Sequence, residues 1–190
     1  MSRTYRAPLV VVTVGGDHHP FNRLMDWVED WLVDQGDRVR CFVQHGPSRA
    51  PVGANCEPYL NHQDLLALMR DARAVVSSGG PATLSEARFL GHQPVAIPRL
   101  AKYGEVVDDH QLAFTSRLQD LGYVVQAQTE QQFRAAVARA IDLPRLVPAP
   151  VDPAKIAAIG RVGTLIDATA AVHAHRGWSA GRRLRSSATR

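Results

Sequence analysis

The sequence predicts an α/β domain, a doubly wound parallel sheet with helices on both faces. Three observations carry that expectation. Short apolar runs alternate with stretches of helical periodicity along residues 8–142. The apolar runs are mostly under seven residues and rich in β-branched side chains, which suits parallel strands buried on both faces. Glycine turns, Gly15-Gly16 and Gly79-Gly80, close two of these runs and feed the next helical stretch.

Taken in order, Leu9 to Val14 is β-branched nearly throughout and reads as a central strand, ended by Gly15-Gly16-Asp17. From Pro20, Leu24, Trp27, Val28 and Trp31 recur at helical spacing, giving an amphipathic helix over 20–34 that Gln35-Gly36-Asp37 stops. Val39 to Gln44 is a second strand, and His45 to Ala54 a Pro- and Gly-bearing loop. A short extended piece near Cys56–Tyr59 precedes a helix from His62 to Arg70. Ala74-Val75-Val76 forms the next strand, broken by Ser77-Ser78-Gly79-Gly80-Pro81. A helix over 81–90 follows, with Leu84, Ala87 and Leu90 on one face and Pro81 in its first turn, where a missing N–H costs nothing. Then come a strand from Gln93 to Ile97, a loop over 99–107, a helix over 109–121, a strand over 123–126 and a helix over 129–141. Residues 143–153 hold four prolines and read as a linker. Residues 154–175 are alanine-rich with an apolar stripe from Ile156 to Ile166, a C-terminal helix, and 176–190 read as a disordered basic tail.

The 190 residues suffice for one domain with a substantial core. The formal charge of +4 lies in the tail, where Arg176, Arg182, Arg183, Arg185 and Arg190 stand without an acid. Set those five aside from the 22 basic residues and 17 remain against 18 acids, which argues against a nucleic-acid-binding face on the domain. Two cysteines, Cys41 and Cys56, lack metal-ligand spacing, so a reduced, cytoplasmic protein is expected. No stretch approaches the roughly 20 apolar residues of a membrane span.

The candidate chemistry gathers at the two glycine turns. A glycine turn opening a helix collects unpaired N–H groups and the positive end of the helix dipole, and phosphate suits such a site. Glu86, on the helix after Gly79-Gly80, sits where a carboxylate beside a phosphate cradle accepts from a ribose diol. The plain alternative is an ordinary strand–turn–helix. Neither GxGxxG nor GxxxxGK[ST] is present, which removes the dinucleotide fingerprint and the P-loop. The adjacent pair Asp108-Asp109 lacks the spacing of metal ligands, so no metal is expected. His18-His19 after the first glycine turn suits binding more than catalysis, with His18 a candidate base. His110-Gln111 at a helix start suits neutral sugar hydroxyls.

Three separated motifs, VTVGGDHHPFNRL at 12–24, SSGGPATLSEA at 77–87 and PRLAKYGEVVDDHQ at 98–111, resemble the C-terminal, donor-binding half of glycosyltransferase family 28. The nearer likeness is to stand-alone versions of that half: the catalytic subunit of the dolichol-linked N-acetylglucosaminyltransferase, and bacterial exopolysaccharide glycosyltransferase subunits. The latter read approximately VTVGTHxxPFxRL, SHGGPGT and KxGExVDxHQ. The resemblance implies a Rossmann-like domain, one half of a GT-B fold, acting on a UDP-sugar without a metal or cofactor. It places Gly15 and Gly16 on the loop approaching the diphosphate, Gly79, Gly80 and Thr83 over the same phosphates, and Glu86 on the ribose. Tyr59 and Leu60 would flank the uracil, and Asp109, His110 and Gln111 would contact the donor sugar. Ser78, Ala82 and Gly16 depart from the pattern, standing where His, Gly and Thr are usual.

The expected function is the donor-binding, catalytic subunit of a two-component, inverting UDP-sugar glycosyltransferase in exopolysaccharide or cell-envelope glycan synthesis. A membrane-associated partner would bind the lipid-linked acceptor and supply the base. The Arg-rich tail offers attraction to an anionic membrane on its inner face. The alternatives are a nucleotide-binding or scaffolding subunit without turnover, and an epimerase on the same half-fold.

Overall fold

A computed structural model describes residues 7–146 of the chain. The linker beyond 146, the C-terminal helix and the basic tail expected from the sequence lie outside the described residues. Six strands form one parallel sheet: β1 (Leu9–Thr13), β2 (Arg40–Gln44), β3 (Asn55–Glu57), β4 (Ala74–Ser78), β5 (Val95–Ile97) and β6 (Val125–Gln126). Their order is β3-β2-β1-β4-β5-β6. Five helices connect them: α1 (Asn22–Gln35), α2 (His62–Asp71), α3 (Pro81–Phe89), α4 (His110–Asp120) and α5 (Glu130–Asp142).

β1 lies between β2 and β4, with Val11 level with Phe42 on one side and Val75 on the other. All five of its residues are buried, as a β-branched run flanked by strands and covered on both faces must be. Alternation divides the core. Val10 and Val12 pack with Leu24, Val28 and Trp31 of α1 and with Phe133 and Val137 of α5. Leu9 and Val11 turn to the other face, toward Leu65 and Met69 of α2 and Ala87 of α3. Each valine so buried contributes about 1.5–3 kcal/mol. Leu84, Ala96 and Val124 make a smaller cluster with Leu118 of α4.

Most boundaries follow the sequence reading within two residues. α1 starts at Asn22 rather than Pro20 because the Phe21 N–H goes to Ser48 Oγ at 2.7 Å, while its carbonyl accepts from Leu24 and Met25. The β5 strand shortens to Val95–Ile97, since Pro94 has no N–H to offer a neighbouring strand. Residues 143–146, the start of the proline-bearing stretch, run against the body. The Leu146 N–H reaches Gly91 O at 2.8 Å, and Arg145 donates to the carbonyls of Arg70 and Ala72.

The strand order reverses between β1 and β4. Connections leave those two strands in opposite directions, which opens a crevice at their carboxyl ends. Both glycine turns stand there.

Candidate functional site

The two turns are built by different means and locked to each other. β1 ends at Thr13, level with Ser77 of β4. Gly15 follows with φ +75°, a left-handed conformation that favours glycine. Ser78 donates its hydroxyl to Val14 O at 3.2 Å, closing the β4 end against the β1 loop. Gly79 has ordinary dihedrals but no room: a Cβ there would stand 2.8 Å from Gln111 Cβ. Its N–H donates to Gln111 Oε1 at 3.1 Å, and the Arg99 N–H reaches the same oxygen at 3.2 Å. The two N–H donors fix which end of the Gln111 amide is oxygen. The N–H of Gly79 is therefore spent inside the protein, which leaves the phosphate role expected of that turn to Gly80 and the residues after it.

α3 opens at Pro81 with Gly80 as its cap residue, and no side chain caps it. By contrast, α2 and α5 are capped by Asn61 and Thr129, whose side chains accept from Asp64 and Gln132. Those two helices start at the edges of the sheet, whereas α3 starts at its centre. The first N–H groups of an α-helix have no intrahelical acceptor, so those of Ala82 and Thr83 converge with the dipole on the crevice.

Glu86 lies on the following turn, its side chain 25% exposed. The ionisable group facing it is His62 at the start of α2, with Nδ1 3.6 Å from Oε1, beyond hydrogen-bond length. Burial pushes the Glu86 carboxyl above its ordinary value, and His62 opposes only part of that shift. A half-buried carboxylate without a donor is a costly arrangement that a diol would relieve. Tyr59 and Leu60 sit beside β2, where Gly46 N donates to Pro58 O and Leu60 N to Gln44 Oε1. Tyr59 is exposed and Leu60 half-buried.

The three donor-sugar candidates separate. Gln111 is buried beneath Gly79, while Asp109 and His110 are exposed at the start of α4. Asp109 Oδ1 accepts from Ala101 N at 2.8 Å, folding the loop back on itself. His110 bonds Asp108 through both its N–H and its ring Nδ1.

The sequence reading missed the groups that hold these loops. Arg99, fully buried, donates to His19 O at 2.9 Å, Glu105 O at 3.0 Å and Val14 O at 3.1 Å. Its guanidinium carbon lies 4.7 Å from the Phe21 ring centre. Burial lowers its pKa while Asp17 and Glu105 raise it. Glu105, equally buried, takes a bidentate pair from Arg23 at 2.9 and 2.8 Å and the Leu100 N–H at 2.9 Å. One guanidinium thus ties the β1–α1 loop to the β5–α4 loop. A signal existed: Arg99 interrupts the apolar run VAIPRL, where a charge requires a buried partner.

His19 rather than His18 is the ordered histidine of the first loop. Its N–H and its Nδ1 both lie 2.8 Å from Asp17 Oδ1, whereas His18 Nδ1 is 3.8 Å away with its ring 69% exposed. Burial pushes the Asp17 carboxyl up, but the two His19 bonds and the Arg99 charge hold it below its usual value. One nitrogen or carboxylate oxygen from each of Asp17, His18 and His19 lies within 4.8 Å of the others, a spacing a cation could bridge.

The family model for the glycosyltransferase family 28 C-terminal domain matches residues 9–156. The chain belongs to that family. Among solved structures, the family 28 domain is similar to the glycosyltransferase of kitacinnamycin, at 19% identity and a TM-score of 0.57, over 88% of this chain and 44% of that one. It is also similar to the calicheamicin glycosyltransferase CalG4, at 13% identity and a TM-score of 0.52, over 100% of this chain and 45% of that one. The domain spans less than half the length of either, and the likeness is one of fold: a Rossmann-like half of a GT-B glycosyltransferase. A comparison with curated proteins finds no significant match. Among the described residues, no helix is long and apolar enough to cross a membrane.

Proposed function

We propose that this family 28 domain is the donor-binding, catalytic subunit of a two-component, inverting UDP-sugar glycosyltransferase acting on a lipid-linked acceptor in exopolysaccharide or envelope glycan synthesis. The observation that carries the reading is the uncapped start of α3 at the switch point, with the Glu86 carboxylate, which accepts no hydrogen bond among the described residues, one turn on. Free N–H groups there complement a diphosphate without a metal, and Glu86 complements the ribose diol. Asp109 and His110, exposed beside the same crevice, suit the sugar. The exposed Tyr103 and Val107 on the β5–α4 loop suit a second protein wall, here a membrane-associated subunit that binds the acceptor. The Arg-rich tail suits an anionic inner membrane surface.

Calorimetry with UDP in EDTA tests the donor site: binding is expected without a divalent ion, and strict dependence on Mg²⁺ or Mn²⁺ would refute the metal-free part. A second reading, a nucleotide-binding subunit without turnover, is favoured by Ser78. Its hydroxyl is committed to Val14 O, so it adds no contact where the family pattern has His. UDP binding without release of UDP from any UDP-sugar, with or without the partner, would decide for it.

A further inference from the structure

We infer that His19, oriented by Asp17, is the general base of the transfer, so that this chain and not its partner takes the acceptor's proton. The inference rests on the family 28 domain binding a UDP-sugar donor, and deepens that reading. A base needs one ring nitrogen held and the other available. His19 Nδ1 is held by Asp17 Oδ1 at 2.8 Å, and no group among the described residues bonds Nε2. The ring is 27% exposed, neither buried in the core nor loose in solvent.

The support behind the pair is what separates it from a surface contact. Asp17 Oδ1 also accepts the His19 N–H, so carboxylate and ring are fixed to one backbone turn. The His19 carbonyl is pinned in turn by Arg99 Nη1 at 2.9 Å, and Arg99 reaches from the end of β5. The histidine therefore stands on a loop anchored at both sides of the β4–α3 turn. Other histidines lack one of these features: His92 has Nε2 bonded to Met69 O in a buried site, and His45 has its Nδ1 on a neutral carbonyl, Ser48 O, with no carboxylate to offset a charge on the ring. The same Asp-x-His arrangement recurs at Asp108 and His110, but there both side chains are more than 60% exposed, against about 30% at Asp17 and His19. The enclosed pair is the one whose carboxylate is screened least by water.

The step balances as follows. An acceptor hydroxyl oxygen forms the new bond to C1 of the donor sugar while its proton passes to His19 Nε2. The bond from C1 to the β-phosphate oxygen breaks, and its electron pair leaves with UDP. The imidazolium donates from Nδ1 to Asp17, which offsets its charge.

A chain that holds both donor and base will hydrolyse the donor slowly with water as acceptor. The test uses the full-length protein with UDP-glucose, UDP-galactose and UDP-N-acetylglucosamine, measuring UDP release in EDTA and UDP affinity by calorimetry. Wild type is expected to release UDP from at least one donor. H19A and H19Q should cut that rate about 10²–10⁴-fold with UDP affinity changed less than twofold. In D17N the rate should also fall, and long-range imidazole ¹⁵N spectra should show His19 losing its single Nδ1-protonated tautomer. The inference is overturned if wild type binds UDP but releases none, if H19A and H19Q keep the rate, or if the rate falls only as UDP binding is lost. It is overturned too if EDTA abolishes release and Zn²⁺ restores it, which would make Asp17 and His19 metal ligands. Failure of wild type to bind UDP at all overturns the donor reading itself.

Discussion

Gln111→Ala should weaken UDP and UDP-sugar alike and destabilise the domain, because Gln111 holds the glycine turn whatever else it touches. The Gln111 side chain accepts two buried N–H groups, from Gly79 at 3.1 Å and from Arg99 at 3.2 Å. Truncation leaves both donors unpaired, at about 1–3 kcal/mol each. Partial entry of water recovers some of that, so a net loss of about 2–4 kcal/mol is expected. In a domain whose whole stability is about 5–15 kcal/mol, urea unfolding reads such a change directly. The midpoint temperature should fall by about 2–4 °C for each kcal/mol lost. Calorimetry with UDP and a UDP-sugar completes the assay, and both affinities should drop together as the Gly79-Gly80 turn loosens. Gln111→Glu keeps an oxygen acceptor for both N–H groups and should retain most of the affinity. The reasoning is refuted if Gln111→Ala unfolds at the wild-type urea concentration and loses only its preference for UDP-sugar over UDP. Gln111 would then be a sugar contact alone.

The two glycines of the same turn should behave oppositely. Gly79→Ala forces a Cβ to within 2.8 Å of Gln111 Cβ and should cost about 1–3 kcal/mol of stability. Gly80→Ala meets nothing nearer than Ser78 Oγ at 4.0 Å, so it should fold normally and lose UDP affinity; equal stabilities for the two variants would contradict this packing. Glu86→Ala should weaken UDP more than a 2′,3′-dideoxyribose analogue, by about 1.5–3 kcal/mol, and equal losses would remove Glu86 from the ribose. The pKa of Glu86 is raised above 4.5, so its carboxylate is lost on acidification sooner than an ordinary glutamate's. A diol favours the ionised form, so the preference for UDP over the dideoxy analogue should be full above the raised pKa and decline below it, as paired pH titrations would measure. Deleting residues 176–190 should abolish binding to anionic vesicles at low salt, and unchanged binding would exclude the tail as an anchor.

The alternation of strands and helices was legible because each signal is local. A run such as Leu9 to Val14 can satisfy its β-branched side chains only in a covered sheet, and Leu24, Val28 and Trp31 recur at a spacing only a helix brings to one face. The two glycine turns and Glu86 were legible for the same reason, since Gly80, Pro81 and Glu86 lie within one strand–turn–helix unit. Tertiary structure alone decided what each polar group near them does. Ser78 stands out in the sequence only as a departure from the family pattern, and in the fold it closes on Val14, 64 residues away. Gln111 reads as a sugar contact and spends its oxygen on Gly79, 32 residues away. Arg99 breaks the apolar run VAIPRL, which marks it for a buried partner without saying which one, and in the fold it bonds the β1–α1 loop 80 residues earlier. Burying a charge or an amide is tolerable only where its partners are supplied, and here the partners come from other strands. Periodicity along the chain records which face is apolar, but not which distant carbonyl will meet a buried guanidinium. That was fixed only when β1, β4 and β5 took their places side by side.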